Sequence, residues 1–407
     1  MNTYGTESKS QEFQQFYYDA YRTWSTFYSE AYRDVRAYAG DNWTNEERTL
    51  LRAQRRTVLE LNRIRRMVNL YSGYERENRK SIVVAPMESG DEQTSEQLSA
   101  LMQYIYDKGN AYQFNSEAFD HMLKSGLAII GIYIDYNKDK VNGDIKFYWK
   151  PFNAVMFDPY FTKRDLTDCD AAATRDLLSK EQVKMLLPWV SPKEIDDLPT
   201  GIRDNKYQYL GIYRQYNSTY IAKHLVTYDQ YWKVIQKPVK LLVDLETGES
   251  TEWNGKSEDE DALKEILQDE PNVKIMESKK RSVELSIIVA GQVLYEGPDP
   301  TGLDDYPFRP VLGYYEPLID TYDLKIQGIV RSMRDPQRLY NKKWSSLTDY
   351  NESVLNTGWV VKNGAVVDPD MLYQTGQGRV VVLNSQFSMA DIQPIRPAEL
   401  PQTALAY

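Results

Sequence analysis

Residues 331–350, RSMRDPQRLYNKKWSSLTDY, carry two interleaved periodicities. Val330, Met333, Gln337, Tyr340, Trp344 and Leu347 follow one another at steps of three and four, the spacing of one helical face. Arg331, Arg334, Arg338 and Lys342 form a separate basic stripe. The pattern predicts a helix over residues 321–354 whose two stripes face different partners. Pro336 interrupts it, and because Asp335 precedes the proline, the pair also matches an N-cap with proline at the first helical position. Either the helix kinks there or a second one begins.

C-terminal to this segment the texture changes. Residues 359–362 and 365–367 flank Asn363-Gly364, a type I′ hairpin signal, and residues 378–383 read as another strand. Pro394, Pro397 and Pro401 then punctuate a linker, and the final residues resemble the first turn of a further helix, so more chain is expected beyond Tyr407.

N-terminal to it the order is helices, then strands. Phe13, Tyr17, Tyr21, Trp24, Tyr28, Ala31, Val35 and Tyr38 mark one face of a long helix that Gly40 stops. A second helix is expected over 44–71, opened by a Thr44/Glu47 capping box and closed by Gly73. Its outer faces bear Arg48, Arg52, Arg55, Arg56, Arg63, Arg65 and Arg66: a solvated face with salt bridges, or a surface for nucleic acid or an acidic neighbour. A short strand at 81–85, helices from Ser95 and over 115–124, and a hairpin of 127–136 with 144–150 about Asn142-Gly143 follow. Residues 207–216, 221–231, 239–245 and 283–289 have strand composition, with turns at Thr247-Gly248 and Ala290-Gly291. An acidic helix at 257–270 and the basic run 279–281 read as an exposed, charge-balanced excursion.

Composition excludes more than it suggests. The 407 residues hold two histidines, His121 and His224, and one cysteine, Cys169, so a spaced zinc motif and an internal disulfide are impossible. No phosphate-cradling loop, nucleophile elbow, HExxH or calcium loop occurs; the run 126–131, GLAIIG, is too apolar and falls inside a strand. Asp299, Asp304 and Asp305 could hold a hard cation, which leaves a metal-dependent DNA-processing enzyme open, although loop aspartates more often cap turns. The 32 tyrosines suit assembly contacts, or less readily a carbohydrate-binding tail module. No cofactor is implied. The longest apolar run, 127–134, is far too short to span a membrane, and the N-terminus is no signal peptide, so synthesis in a reducing cytoplasm is expected. The net charge of −10 argues against a general polyanion binder.

The 331–350 helix resembles the one that introduces the stem of phage portal proteins, particularly those of short-tailed and crAss-like phages. Residues 61–86, LNRIRRMVNLYSGYERENRKSIVVAP, are similar to that family's N-terminal helix-then-strand, 157–170, FDPYFTKRDLTDCD, to its FDPxxxxDLxD segment, and 226–232, VTYDQYW, to a strand of its wing. The order and spacing of these stretches, more than any one of them, carry the likeness. The aromatic helix before Asn45 and the 257–270 insertion depart from the pattern.

The resemblance implies an α+β portal fold and a protein that catalyses nothing. It implies a homo-oligomeric ring, usually a dodecamer, in the virion at one capsid vertex, passing double-stranded DNA during packaging and ejection. Terminase motor, head-tail adaptor and major capsid protein would be its partners, with no membrane. Residues 1–44 would lie at the wing periphery. Residues 45–320 would form the wing, helical over 45–125 and β-rich over 126–320; 321–354 the stem, 355–397 a small α/β clip, and 398–407 the start of a returning stem helix, with tunnel loop and crown beyond. Arg331, Arg334, Arg338 and Lys342 would make inter-subunit salt bridges or channel-side DNA contacts. Val330, Met333, Tyr340, Trp344 and Leu347 would pack the stem, and Trp359, Val360, Lys362, Asn363, Val366 and Arg379 would meet motor or adaptor.

Overall fold

The computed structural model describes residues 3–86, 92–201, 218–244, 250–253, 273–355, 358–372 and 380–395. The chain is α+β, as the alternation of helical and strand patterns predicts, with every strand pair antiparallel among the described residues. It divides into two compact units, Met1–Val35 with Met67–Arg331, and Arg36–Arg66 with Ser332–Tyr407.

The first unit is organised around helix α1, Thr3–Ala39. Its aromatic face is core: Phe13, Tyr17, Trp24, Phe27 and Tyr28 are all buried. At about 2 kcal/mol per large side chain, these five contribute on the order of 10 kcal/mol of apolar burial. The tyrosine-rich helix is therefore explained inside one subunit, and its buried rings are not the assembly contacts that composition suggested. Trp24 also donates from Nε1 to the Phe157 carbonyl at 3.0 Å, which satisfies its one polar atom inside the core. Tyr231, on the strand Leu225–Asp244 of the sheet beneath, meets Phe13 and Phe16 with ring centroids 5.5 and 5.2 Å away.

Helices α4, Glu92–Lys108, and α5, Ala111–Ser125, precede strands β1, Leu127–Asp135, β2, Asp144–Pro151, and β3, Val155–Phe157. Strands β4, Ala171–Ser179, β5, Leu225–Asp244, β6, Ser250–Glu252, β7, Val273–Val289, and β8, Gln292–Pro298, complete the larger sheet in the order β3-β4-β5-β7-β8, with β6 on β5. β5 and β7 pair from Tyr228↔Val289 to Asp244↔Val273; their Leu225–Tyr231 and Val283–Val289 ends are largely buried while the far ends carry lysines. β9, Phe308–Leu312, joins β1 and β2 in a second sheet, and β10, Tyr314–Tyr315, pairs with β11, Ile326–Gln327. Gly126 adopts φ +89°, and a Cβ there would lie 2.8 Å from the backbone of Gln327 and Gly328, so the run that might have suggested a phosphate loop is a close backbone crossing.

Several sequence expectations are corrected. The single helix over 44–71 is two, α2, Asn45–Ala53, and α3, Ile64–Glu77, separated at Arg55 (φ +56°) by extended residues 57–63. The Thr44/Glu47 capping box is present. Residues 81–85 form no strand; they are tied to α4 by Val84 N–H and carbonyl bonding with Ser99 Oγ. Residues 218–224 are helical, so β5 begins at Leu225. The basic run 279–281 is not an excursion but part of β7, with Lys280 paired to Glu252 and Asp304 and Arg281 to Asp305. The β1–β2 connection runs from Asp135 to Asp144, with Asp139 collecting the N–H groups of Val141 and Asn142, rather than through a two-residue turn. The expected strand at 207–216, the turn at 247–248, the acidic helix at 257–270, the linker from Pro397 and the final helical turn lie outside the described residues.

The second unit holds α2, residues 57–63, most of the long helix Ile329–Leu355, and a small sheet of β12, Trp359–Val361, with β13, Ile392–Pro394. The long helix runs unbroken through Pro336. Gly40 closes α1 at φ +95°, with Asp41 N–H on Arg36 O and Gly40 N–H on Ala37 O, the two bonds of a Schellman cap.

Candidate functional site

The long helix presents a buried face, and that face is polar. Gln337, Asn341 and Ser345 are at most 4% exposed, and with Asp349 they recur every four residues. Each receives a backbone N–H from alternate residues of the extended segment: Arg63 to Gln337 Oε1 at 2.9 Å, Leu61 to Asn341 Oδ1 at 3.2 Å, Leu59 to Ser345 Oγ at 3.1 Å, and Thr57 to Asp349 Oδ1 at 2.7 Å.

The geometry follows from elementary dimensions. Four helical residues rise about 6 Å, and two extended residues rise about 6.6 Å, so one row of i, i+4 side chains serves every second amide of an antiparallel strand. The remaining mismatch, roughly 2 Å over three steps, falls on side chains of different length. Gln337 Nε2 also donates to Leu61 O at 2.7 Å and to Asn341 Oδ1 at 2.8 Å, and Asn341 Nδ2 to Glu60 Oε1 at 2.8 Å. At the far rung, burial pushes the Asp349 carboxyl up, but the Thr57 N–H and Arg56 outweigh it and hold the group below the usual carboxylate range.

The predicted basic stripe divides. Arg331, in the first unit, is paired with the fully buried Asp34 at 2.7 Å and donates to Asp323 O at 2.8 Å, so its guanidinium is engaged within its own chain. Arg338 meets Glu47 at 2.5 Å; the Thr44 N–H, and then Arg338, hold that carboxyl below its ordinary value. Arg334 is half-buried and Lys342 exposed. Of the predicted packing residues, Val330 is buried, Met333, Tyr340 and Leu347 are half-buried, and Trp344 is exposed. Arg63 lies over the Tyr340 ring at 5.3 Å and donates to its hydroxyl at 2.9 Å. The arginines of 48–66 divide likewise: Arg48 pairs with Asp41, Arg56 with Asp349, and Arg65 lies over Tyr38, while Arg52, Arg55 and Arg66 are exposed.

The hairpin expected at Asn363-Gly364 is not formed. A type I′ turn needs positive φ at both central residues, and only Gly364 has it, at +80°. Trp359–Val361 therefore pairs with Ile392–Pro394 instead, while Val366 bridges Leu383. Val360 and Asn363 are exposed, Trp359 is half-buried, Lys362 pairs with Asp391, and Val366 is buried, which removes it from the exposed surface. Arg379 lies outside the described residues.

The three loop aspartates each hold the fold. Asp299 accepts from Trp232 Nε1 at 2.7 Å and from Thr301; Asp304 pairs with Lys280; Asp305 pairs with Arg281 and Arg309. Among the described residues no three His, Cys, Asp or Glu side chains gather closely enough for a metal ion, and no helix is long and apolar enough to cross a membrane. His121 is stacked on Phe152, its centroid 5.8 Å away, and burial lowers its pKa to about 4. In the first unit a cavity of about 530 Å³ lies between α1 and the sheet, floored by the buried Arg175–Asp229 pair at 2.6 and 2.9 Å, with Arg175 over the Tyr17 ring at 4.2 Å.

Sequence reasoning found the long helix but missed Asn341, Ser345 and Asp349, whose signal was the four-residue repeat of short hydrogen-bonding side chains. The family model described as Phage P22-like portal protein matches residues 14–407, across both units. No curated protein matches the chain.

Proposed function

The chain belongs to the phage P22-like portal protein family, and on that premise we propose that it forms a ring-shaped channel at one capsid vertex through which the genome is packaged and later ejected. Membership makes it a phage portal protein, a capsid-associated component of an oligomeric ring and a member of a structural family. Beyond that, we assign residues up to 320 to the wing, 321–354 to the stem and 355–397 to the clip, in a ring of twelve on the family's usual plan, with double-stranded DNA in the channel. The exposed face of β12, with Val360 and Asn363, is the surface offered to terminase motor and tail adaptor, and the major capsid protein surrounds the vertex. Lys342 is the stripe cation assigned to a neighbouring subunit or to DNA.

The observation that carries the reading is the family match over residues 14–407. Physical chemistry supports it: the chain's net charge is −10, and a channel that must let DNA slide gains nothing from cations that would each add salt-sensitive grip on phosphate. Electron microscopy of the purified full chain is expected to show closed rings with a central hole. Monomers at every salt concentration would refute the assignment.

A further inference from the structure

Two helices of the first unit carry apolar faces that are left open among the described residues. Helix α3 buries Val68 and Ser72, yet Met67, Leu70, Tyr71 and Tyr74, also at steps of three and four, are 40–67% exposed. A surface helix ordinarily turns polar residues outward, whereas α3 is apolar on two sides. In the 17-residue α4 only Ser95 is buried, and Leu98, Leu101 and Tyr104 are 44–58% exposed. Helices in proteins draw most of their stability from packing an apolar face, and this face is half uncovered. On α3 alone the open stripe amounts to on the order of 400 Å², the size at which an apolar patch marks an interaction site.

We propose that the α3 stripe of one subunit packs on the α4 stripe of the next copy in the ring. The inference rests on the ring reading above and names its contact. A ring is built from heterologous contacts, so each subunit needs two different patches, one for each neighbour. The two open stripes supply such a pair. Their charge balance is opposite: residues 64–80 hold five basic and two acidic side chains, and residues 92–108 hold three acidic and one basic. That difference favours α3 against α4 over either helix against itself.

Cys169, the only cysteine, is buried, so introduced thiols report alone. In the full chain, oxidation of Leu70→Cys/Leu101→Cys, with Tyr74→Cys/Leu98→Cys as a second pair, is expected to give a ladder of covalent oligomers on non-reducing gels. The single variants stay monomeric on the gel, and a mixture of the Leu70→Cys and Leu101→Cys chains gives dimers and nothing larger. Leu70→Glu and Leu101→Glu are each expected to lower the ring fraction at least tenfold in sedimentation while leaving the circular dichroism of the subunit unchanged. Parent rings that persist in both glutamate variants, with no ladder from either cysteine pair, overturn the α3–α4 contact and leave the ring standing. Absence of rings in the unsubstituted protein overturns both.

Discussion

Asn341 is where the second unit is most exposed to a single substitution. Its side chain is fully buried and serves three groups: Leu61 N–H at 3.2 Å, Gln337 Nε2 at 2.8 Å and Glu60 Oε1 at 2.8 Å. In Asn341→Ala, Gln337 keeps its bond to Leu61 O and Glu60 keeps Asn42 Nδ2 at 2.7 Å, but the Leu61 amide loses the one acceptor that geometry gives it. An unsatisfied buried donor costs about 1–3 kcal/mol, and loss of the Glu60 bond, to a carboxylate that keeps its bond from Asn42, adds about 1.5 kcal/mol, the low end for a charged partner. We expect a destabilisation of about 3 kcal/mol, read by urea denaturation at fixed protein concentration with Trp43 as reporter, since its Nε1 donates to Leu59 O at 2.8 Å in the same segment. Hydrogen exchange gives the local test. A loss of about 2 kcal/mol in opening free energy speeds the Leu61 amide by roughly thirtyfold, with smaller effects at Thr57, two rungs away. A change under about 0.5 kcal/mol, equal to that of the exposed control Lys342→Ala, would show that the rungs are geometry without energy.

Three further outcomes are expected. Burial holds His121 neutral, with a folded pKa of about 4 against an unfolded value of roughly 6.5; the stability this brings is complete above the unfolded pKa and is lost as pH falls toward 4, about 3 kcal/mol in all, so His121→Phe should flatten the acid limb of a stability–pH curve, and an unchanged limb would exclude His121 as its cause. Burial pushes the Cys169 thiol up to about 12, so iodoacetamide should label it only after denaturation, and prompt labelling of the native protein would contradict the packing. Pro336 lies inside the helix, where proline removes a hydrogen bond; Pro336→Ala should raise the unfolding free energy measured in urea by about 1–2 kcal/mol after allowing for a looser unfolded chain, and a lowered value would contradict a proline cost at this position.

The sequence made the elements with strong local chemistry legible. The α1 stripe, the Thr44/Glu47 capping box, the Gly40 stop and the Ala290-Gly291 turn all depend on residues close in the chain, and the last has positive φ at both positions. Errors arose where a distant partner decides. Residues 57–63 alternate in a strand-like way, but among the described residues no strand pairs with them; their amides are taken by a helix some 280 residues on, so a helical reading of 44–71 had nothing local against it. The long helix was misjudged for the complementary reason. Hydrophobic periodicity finds faces that bury carbon, and it passed over a face selected to offer acceptors to a backbone. The basic stripe was read as an outward surface because charge on a helix usually is; Asp34, which takes Arg331, sits on α1, far away in sequence.

The choice of a polar seam has a consequence that an apolar one would not. Leucine seams tolerate small slides, since dispersion contacts are non-directional and many offsets bury similar area, whereas each rung here fixes one amide to one side chain. A shift of the extended segment by one residue would turn every bonded N–H away from the helix, and a shift by two would move Leu61 from Asn341 to Ser345 and leave Gln337 without its amide. Register is thus set by four bonds at once, and it is set from the residue that follows Pro336. A proline inside a helix weakens it by the bond it cannot make and by its crowding of the preceding turn. The first rung, Gln337, is the next residue, and the splint continues for three further rungs to Asp349. The segment therefore stiffens the helix where its own backbone is weakest, and this accounts for a helix that runs through proline without a break and for a buried face built of amides and hydroxyls in place of leucines.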